Sequence, residues 1–230
     1  MPSNIIDLSY PVRNGMRTYP GIPEPSISAF LTHEASRARY QGQCELAFSQ
    51  VNIVAGVGTY LDSPYHRDPT LPDFAALPLR SLVDLPGVVI DMRGRRDRAI
   101  RPQDLGDDAW AGCAVVLRTG MGEHWDTDRY WTDGPFVTQE AAAVLAGAGI
   151  ALLGVDFLNV DDLGDPRRPV HTLLLRARIP IIENLRNVDR LPVRGFRLHA
   201  APLALEGVAS FPIRAYAVLD TGPDDQPEGV

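Results

Sequence analysis

Three apolar runs constrain this chain most: Gly87-Val-Val-Ile-Asp-Met, Cys113-Ala-Val-Val-Leu-Arg-Thr and Ile150-Ala-Leu-Leu-Gly-Val-Asp. Each is short, rich in branched side chains and interrupted or closed by a polar residue. Such runs read as strands buried on both faces. None approaches the ~20 apolar residues that span a bilayer. The third follows directly on the clearest helical stretch, Thr138-Gln-Glu-Ala-Ala-Ala-Val-Leu-Ala-Gly-Ala-Gly, with Thr138 as its N-cap and Gly147 or Gly149 as its stop. Further strands are expected within residues 5–12, 27–31, 46–54, 179–185, 196–203 and 213–219. Short helical pieces are expected at 74–77, after Arg101 and over 171–177. The polar segment 33–42 reads as a loop, and residues 15–25, rich in Gly and Pro, as a surface wrap.

Strands outnumber helices, and no GxGxxG follows any of them, so a dinucleotide-binding Rossmann unit is not supported. The pattern predicts one α/β domain over residues 1–230, built on a mixed sheet rolled toward an open barrel, with a frayed tail at 220–230. A hydrophobic fraction of 45% and a charged fraction of 22% fit a soluble globular chain. The net charge of −7 argues against nucleic acid or an anionic membrane as partner, though not against a small anion held by local arginines. The N-terminus lacks the basic and apolar regions of a signal peptide, so a cytoplasmic location is expected. Cys44 and Cys113 have no CxxC spacing and are expected to be small buried residues in a reducing compartment. All 22 cationic residues are Arg, which removes Schiff-base chemistry and a Walker lysine.

Candidate chemistry begins at Gly56-Val-Gly-Thr-Tyr-Leu-Asp-Ser-Pro-Tyr-His66. A small-residue turn leads into Asp62 and His66, and Pro64 between them favours a shaped loop over a helical face. Far along the chain, His171 opens one segment and Glu183 closes the next strand. A carboxylate ending an apolar strand is expensive unless it has a partner. Asp156 is placed the same way. These groups fit either a metal or acid/base site, or carboxylates that cap neighbouring loops. His33, His124 and His199 read as surface or satisfied core histidines. Trp125, Tyr130, Trp131 and Phe136 read as packing or as pocket wall, and Arg118 as half of a structural ion pair. No GxSxG is present, so a serine-hydrolase elbow is unsupported.

The order of these pieces resembles the cyclase family of hydrolases, which includes bacterial kynurenine formamidases and isatin hydrolases. That family's signature, His-x-Gly-Thr-His-x-Asp-x-Pro-x-His, falls on residues 56–66. Ile6-Asp-Leu-Ser, Val116-Leu-Arg-Thr-Gly, Gly154-Val-Asp, His171-Thr-Leu-Leu, Ile182-Glu-Asn-Leu and Pro212-Ile-Arg-Ala extend the similarity over roughly residues 5–219. The resemblance implies a swivelling β/β/α domain around a barrel-like mixed sheet with few helices, assembled as a homodimer or homotetramer and acting on a small-molecule amide, lactam or related carbonyl. It also implies metal ligands. Where the signature has its first two histidines this chain has Gly56 and Tyr60, so the first of two metal positions is lost. The groups matching the second, Asp62, His171 and Glu183, are present and would take one divalent zinc or manganese ion, with His66 moving protons. A metal-free acid/base enzyme using Asp62, His66, Tyr60, His171 and Glu183 for cyclisation, dehydration, isomerisation or ring-opening is the alternative. A non-catalytic ligand binder is the third.

Overall fold

The computed structural model describes residues 4–106 and 109–220. In chain order the elements are β1 (Ile5–Asp7), β2 (Ser26–Leu31), α1 (His33–Arg39), β3 (Phe48–Asn52), β4 (Tyr60–Asp62), β5 (Leu85–Asp91), β6 (Ala99–Ile100), α2 (Pro102–Leu105) and β7 (Ala114–Arg118). They continue with α3 (Asp128–Thr132), β8 (Phe136–Val137), α4 (Gln139–Gly147), β9 (Leu152–Val155), α5 (Pro169–Arg176) and β10 (Ile181–Glu183). The last are β11 (Phe196–His199), β12 (Ser210–Pro212) and β13 (Tyr216–Leu219).

The three apolar runs become β5, β7 and β9, which lie side by side and parallel, with β10 parallel beside β9. Antiparallel strands extend both flanks. The order is β1-β13-β11-β5-β7-β9-β10-β4-β12, a mixed sheet curled into a half-barrel, as the sequence predicts. Alternation along each strand feeds two apolar clusters. Val115 and Leu117 of β7, and Leu153 and Val155 of β9, pack with Leu145 of α4 and Leu174 of α5. Ala114, Val116 and Leu152 face the other way, toward Ile6, Leu198 and Ala217 inside the curl. The parallel strands are thus covered on both faces, which explains their unbroken hydrophobicity.

The helix after Thr138 forms as expected, with the Thr138 side chain accepting from the Ala141 amide. The stretch at 171–177 is helical as α5, and α2 follows Arg101. Residues 74–76 form a turn, with a 3₁₀ turn just beyond at Leu79–Ser81. The segment read as a loop at 33–42 is instead largely helix. Thr32 caps α1 through the Ala35 amide, Glu34 lies in its first turn and Arg37 and Arg39 in its last. End charges and a cap can hold a short polar helix that no apolar face announces. Cys44 is exposed rather than buried, while Cys113 is buried as expected. β3, within the strand expected at 46–54, pairs with β2 in a separate two-stranded ribbon, leaving Phe30, Phe48 and Val51 exposed. The expected frayed tail, from 221 onward, lies outside the described residues. No helix among the described residues is long and apolar enough to cross a membrane.

Candidate active site

Register places the first three groups. Tyr60 of β4 stands opposite Glu183 of β10, and Asp62 stands opposite both Ile181 of β10 and Ser210 of β12. Directly opposed residues share a face, and so do residues two apart on a strand. Tyr60, Asp62, Glu183 and Ser210 therefore all project to one side, while Leu61 and Ile182 fill the core on the other. After Asp62 the Ser63 amide bonds the Ala209 carbonyl, and a 3₁₀ turn at Pro64–His66 swings His66 to the surface end of the same cavity. Proline suits the first position of that turn because its missing N–H would go unused there.

The loop leading into β4 is pinned by a buried network. Asn184, in a left-handed conformation directly after Glu183, donates to the Gly58 carbonyl at 2.8 Å and accepts from the Tyr130 hydroxyl at 2.6 Å. The Thr59 hydroxyl donates to the Asn184 carbonyl at 2.6 Å. Gly56 and Gly58 both take positive φ, and a Cβ on Gly56 would lie 3.1 Å from Ile22 Cδ1. The turn thus requires glycine where the resembling signature carries a histidine.

His171 comes from the first turn of α5. Its Nδ1 meets Asp161 Oδ2 at 2.6 Å, and the other Asp161 oxygen accepts from the Val170 amide at 2.7 Å. Asp161, fully buried and outside every sequence-derived set, thus both caps α5 and fixes the imidazole. With Nδ1 committed to a carboxylate, Nε2 is the atom presented to the cavity. It lies 3.4 Å from Asp62 and 3.6 Å from Glu183. Glu183 accepts from the Val160 amide at 2.7 Å on one oxygen and from the Tyr60 hydroxyl on the other. Asp62 Oδ1 is buried without a hydrogen-bond partner.

Electrostatics follow from burial. For His171, desolvation works against charge, but Asp161, Asp62 and Glu183 outweigh it and push the pKa up to about 10. Burial raises the Glu183 pKa, reinforced by the Asp62 charge and opposed by His171. Burial works against the Asp62 carboxylate too, yet the facing His171 and His66 rings hold its pKa below the usual value. Tyr60 is driven well above 10, first by burial and then by Glu183 and Asp62. It is held as a neutral phenol that donates a hydrogen bond, which makes it a poor metal ligand.

These groups line a cavity of about 220 Å³, together with Tyr19, Ile22, Asn159, Arg67 and Arg168. Asp62, His66 and His171 each offer a ligand atom, all within 4.8 Å of one another. Glu183 lies beside this triple. The cavity thus collects Tyr60, Asp62, His66, His171 and Glu183 and leaves out the other candidates. Asp156 accepts from the Thr119 amide and hydroxyl and from the Gly120 amide, so it closes a loop away from the cavity; burial, only partly offset by those donors, raises its pKa to about 6. Arg118 pairs with Asp91 at 2.8 Å, and Trp125, Tyr130 and Trp131 pack against one another. His199 stacks on Tyr216, and His33 is exposed. Sequence reasoning missed Tyr19, Arg67, Asn159, Asp161 and Arg168. Only Asp161 had a signal available: a buried imidazole needs a partner for its second nitrogen.

Residues 6–162 match the model of the Cyclase family, described as "Putative cyclase". The chain is 28% identical over 214 residues to a protein named kynurenine formamidase from Bacillus cytotoxicus, covering 93% of this chain and 96% of that protein. A solved structure described as a "potential metal-dependent hydrolase with cyclase activity" superposes with a TM-score of 0.76 at 27% identity, covering 95% of this chain and 98% of that one. An isatin hydrolase bound to the product analogue thioisatinate shares the fold, with a TM-score of 0.79 at 22% identity over 94% of this chain and 92% of that one.

Proposed function

The chain belongs to the Cyclase family, and from that premise we propose that it hydrolyses the C–N bond of an amide or lactam in a small molecule. The observation that carries the reading is the cluster of Asp62, His66 and His171 around one point, with Asp62 Oδ1 buried and unpartnered. An oxygen and two imidazole nitrogens suit zinc or manganese. A buried carboxylate oxygen without a donor is one that a cation would satisfy. The residues therefore fit one divalent ion, with Asp62 and His171 as ligands and Glu183 as the third through lone pairs its two donors leave free. Gly56 has no ligand atom and Tyr60 is protonated, so a second ion has no comparable set. A bound divalent ion supplies Lewis acidity, polarising a carbonyl and lowering the pKa of water.

The protein's own groups supply the rest. Asp161 holds His171 in one tautomer. His66, at the exposed end, takes the proton of the attacking water as its oxygen bonds the carbonyl carbon. It returns that proton to the nitrogen as the C–N bond breaks. The Tyr60 hydroxyl, committed to Glu183, keeps that carboxylate aimed at the cavity. A second reading is favoured by the 4.8 Å triple itself: His66 as third ligand in place of Glu183.

Metal content of protein purified without chelator tests both. About one zinc or manganese per chain, lost together with activity in Asp62→Ala, is expected. His66→Ala that keeps its metal but loses about 100- to 10,000-fold in kcat supports proton transfer by His66. His66→Ala that loses its metal makes His66 a ligand. Activity that survives chelator and vanishes in His66→Ala replaces both with a metal-free acid/base enzyme.

Two finer points are part of the same proposal. Self-association as a homodimer or homotetramer is supported by the exposed apolar side chains of the β2–β3 ribbon, Phe30 at 75% and Phe48 at 56%. A reducing, cytoplasmic setting is supported by two free cysteines, one of them exposed.

A further inference from the structure

We infer that Arg67 and Arg168 form an anion-binding rim, so that the molecule hydrolysed carries a carboxylate on the side away from its scissile amide. The inference rests on the hydrolase reading and names its substrate class. The cavity is polarised: its buried floor holds Asp62 and Glu183, and two guanidinium groups line its more exposed part.

Both arginines are positioned by neutral oxygens alone. Arg67 Nε donates to Thr172 Oγ1 at 2.7 Å, and its Nη2 to the Arg167 carbonyl at 2.9 Å. Arg168 Nη2 donates to the Tyr19 hydroxyl at 3.1 Å, and Nη1 to the Asp162 carbonyl at 3.3 Å, with Asn159 Oδ1 at 3.5 Å. Although the Arg168 charge is felt at Asp165, neither makes an ion pair with a carboxylate at close range among the described residues. Other surface arginines do: Arg167 grips Asp165 with two prongs, and Arg93, Arg197 and Arg214 do the same with Asp91, Asp84 and Asp7. Neutral partners fix a guanidinium in place without spending its charge, and its planar fork matches a carboxylate. Arg168 also holds a left-handed backbone, φ 49, a strained state for a non-glycine residue of the kind that gathers at ligand clamps.

Charge then sets orientation. The rim offers a carboxylate a planar, two-pronged match, which leaves the neutral amide to enter beside Asp62 and His66. The volume is smaller than the roughly 300 Å³ at which drug-sized pockets begin. It suits about one ring with its substituents, and hence a compact anion.

The probes are 4-formamidobenzoate and formanilide, aryl formamides that differ only by a ring carboxylate opposite the amide. The wild-type enzyme is expected to favour the carboxylate compound in kcat/KM by at least about tenfold. Arg67→Gln and Arg168→Gln should each cut that preference by about tenfold, mainly through KM, with Arg67→Lys restoring part of it. No preference in the wild type, or a preference that survives both substitutions, overturns the inference. If neither amide is cleaved, the hydrolase reading fails on these probes and the rim is judged by calorimetric binding of 4-aminobenzoate. Binding weakened about tenfold in each variant upholds the rim; absent or unaltered binding overturns it.

Discussion

Tyr60, Asp62 and Glu183 reach the cavity from paired strands, whereas His66, Arg67 and Arg168 reach it from a short turn and a loop. The strand residues are fixed by ladder register, in which a one-residue slip would turn all of them to the far face. They are buried, and every described contact they make is internal. The loop residues are exposed or half-buried, and the Arg67 and Arg168 side chains are held by two and three hydrogen bonds. The difference assigns separate tasks. A rigid floor can hold a reactive cluster that would be costly to leave unsupported, and a rim on loops can change its partner without disturbing the sheet.

The largest expected break in this division is Glu183→Ala. It strands the Val160 amide and the Tyr60 hydroxyl and removes a counter-charge from buried His171. A cost of about 3–5 kcal/mol follows, or roughly 6–20 °C in Tm at this chain length, read by calorimetry. A smaller effect sharpens the electrostatics of the floor. In chelator-treated protein the folded His171 pKa of about 10 lies above its ordinary 6.5. Between those values the native state binds more protons than the unfolded one. Its contribution is therefore complete below pH 6.5 and is lost as pH rises through about 10. Urea titrations across this window should show stability falling by about 1 kcal/mol or more, and Asp161→Asn should flatten the slope. The smallest effect is expected at the rim. Arg168→Gln should move stability by no more than about 0.5 kcal/mol, less than about 2 °C in Tm. A rim variant that melted like Glu183→Ala would erase the distinction between the two regions.

The same division decides what could be read from the amino-acid order. Strands β5, β7 and β9 were legible because burial on both faces writes itself as an uninterrupted apolar run. Asp62 stood out because it follows a small-residue turn four residues before His66, and Glu183 because it closes an apolar strand; the structure brings them to one cavity with His66 and His171. Asp156 stood out for the same reason yet only ties down a loop, so a carboxylate at a strand end marks cost without saying what meets it. Arg67, Arg168 and Tyr19 were illegible because their place depends on loop paths that leave no periodicity. Helix α1 was missed because its support is a threonine cap and end charges, with no apolar stripe. Cys44 was misjudged because its neighbourhood is a ribbon standing off the main sheet.

Gly56 carries a consequence for what the site can become. Its left-handed backbone strains any side chain, and a Cβ there would need the Ile22 side chain to give by a few tenths of an ångström. A histidine there would strain the turn by about 1–2 kcal/mol and press on the Ile22 side chain. Restoring histidine at position 60 alone would remove the donor that steadies Glu183 and add a single ligand with no mate. Neither substitution alone completes a second ligand set, and the one at position 56 also needs Ile22 to shift.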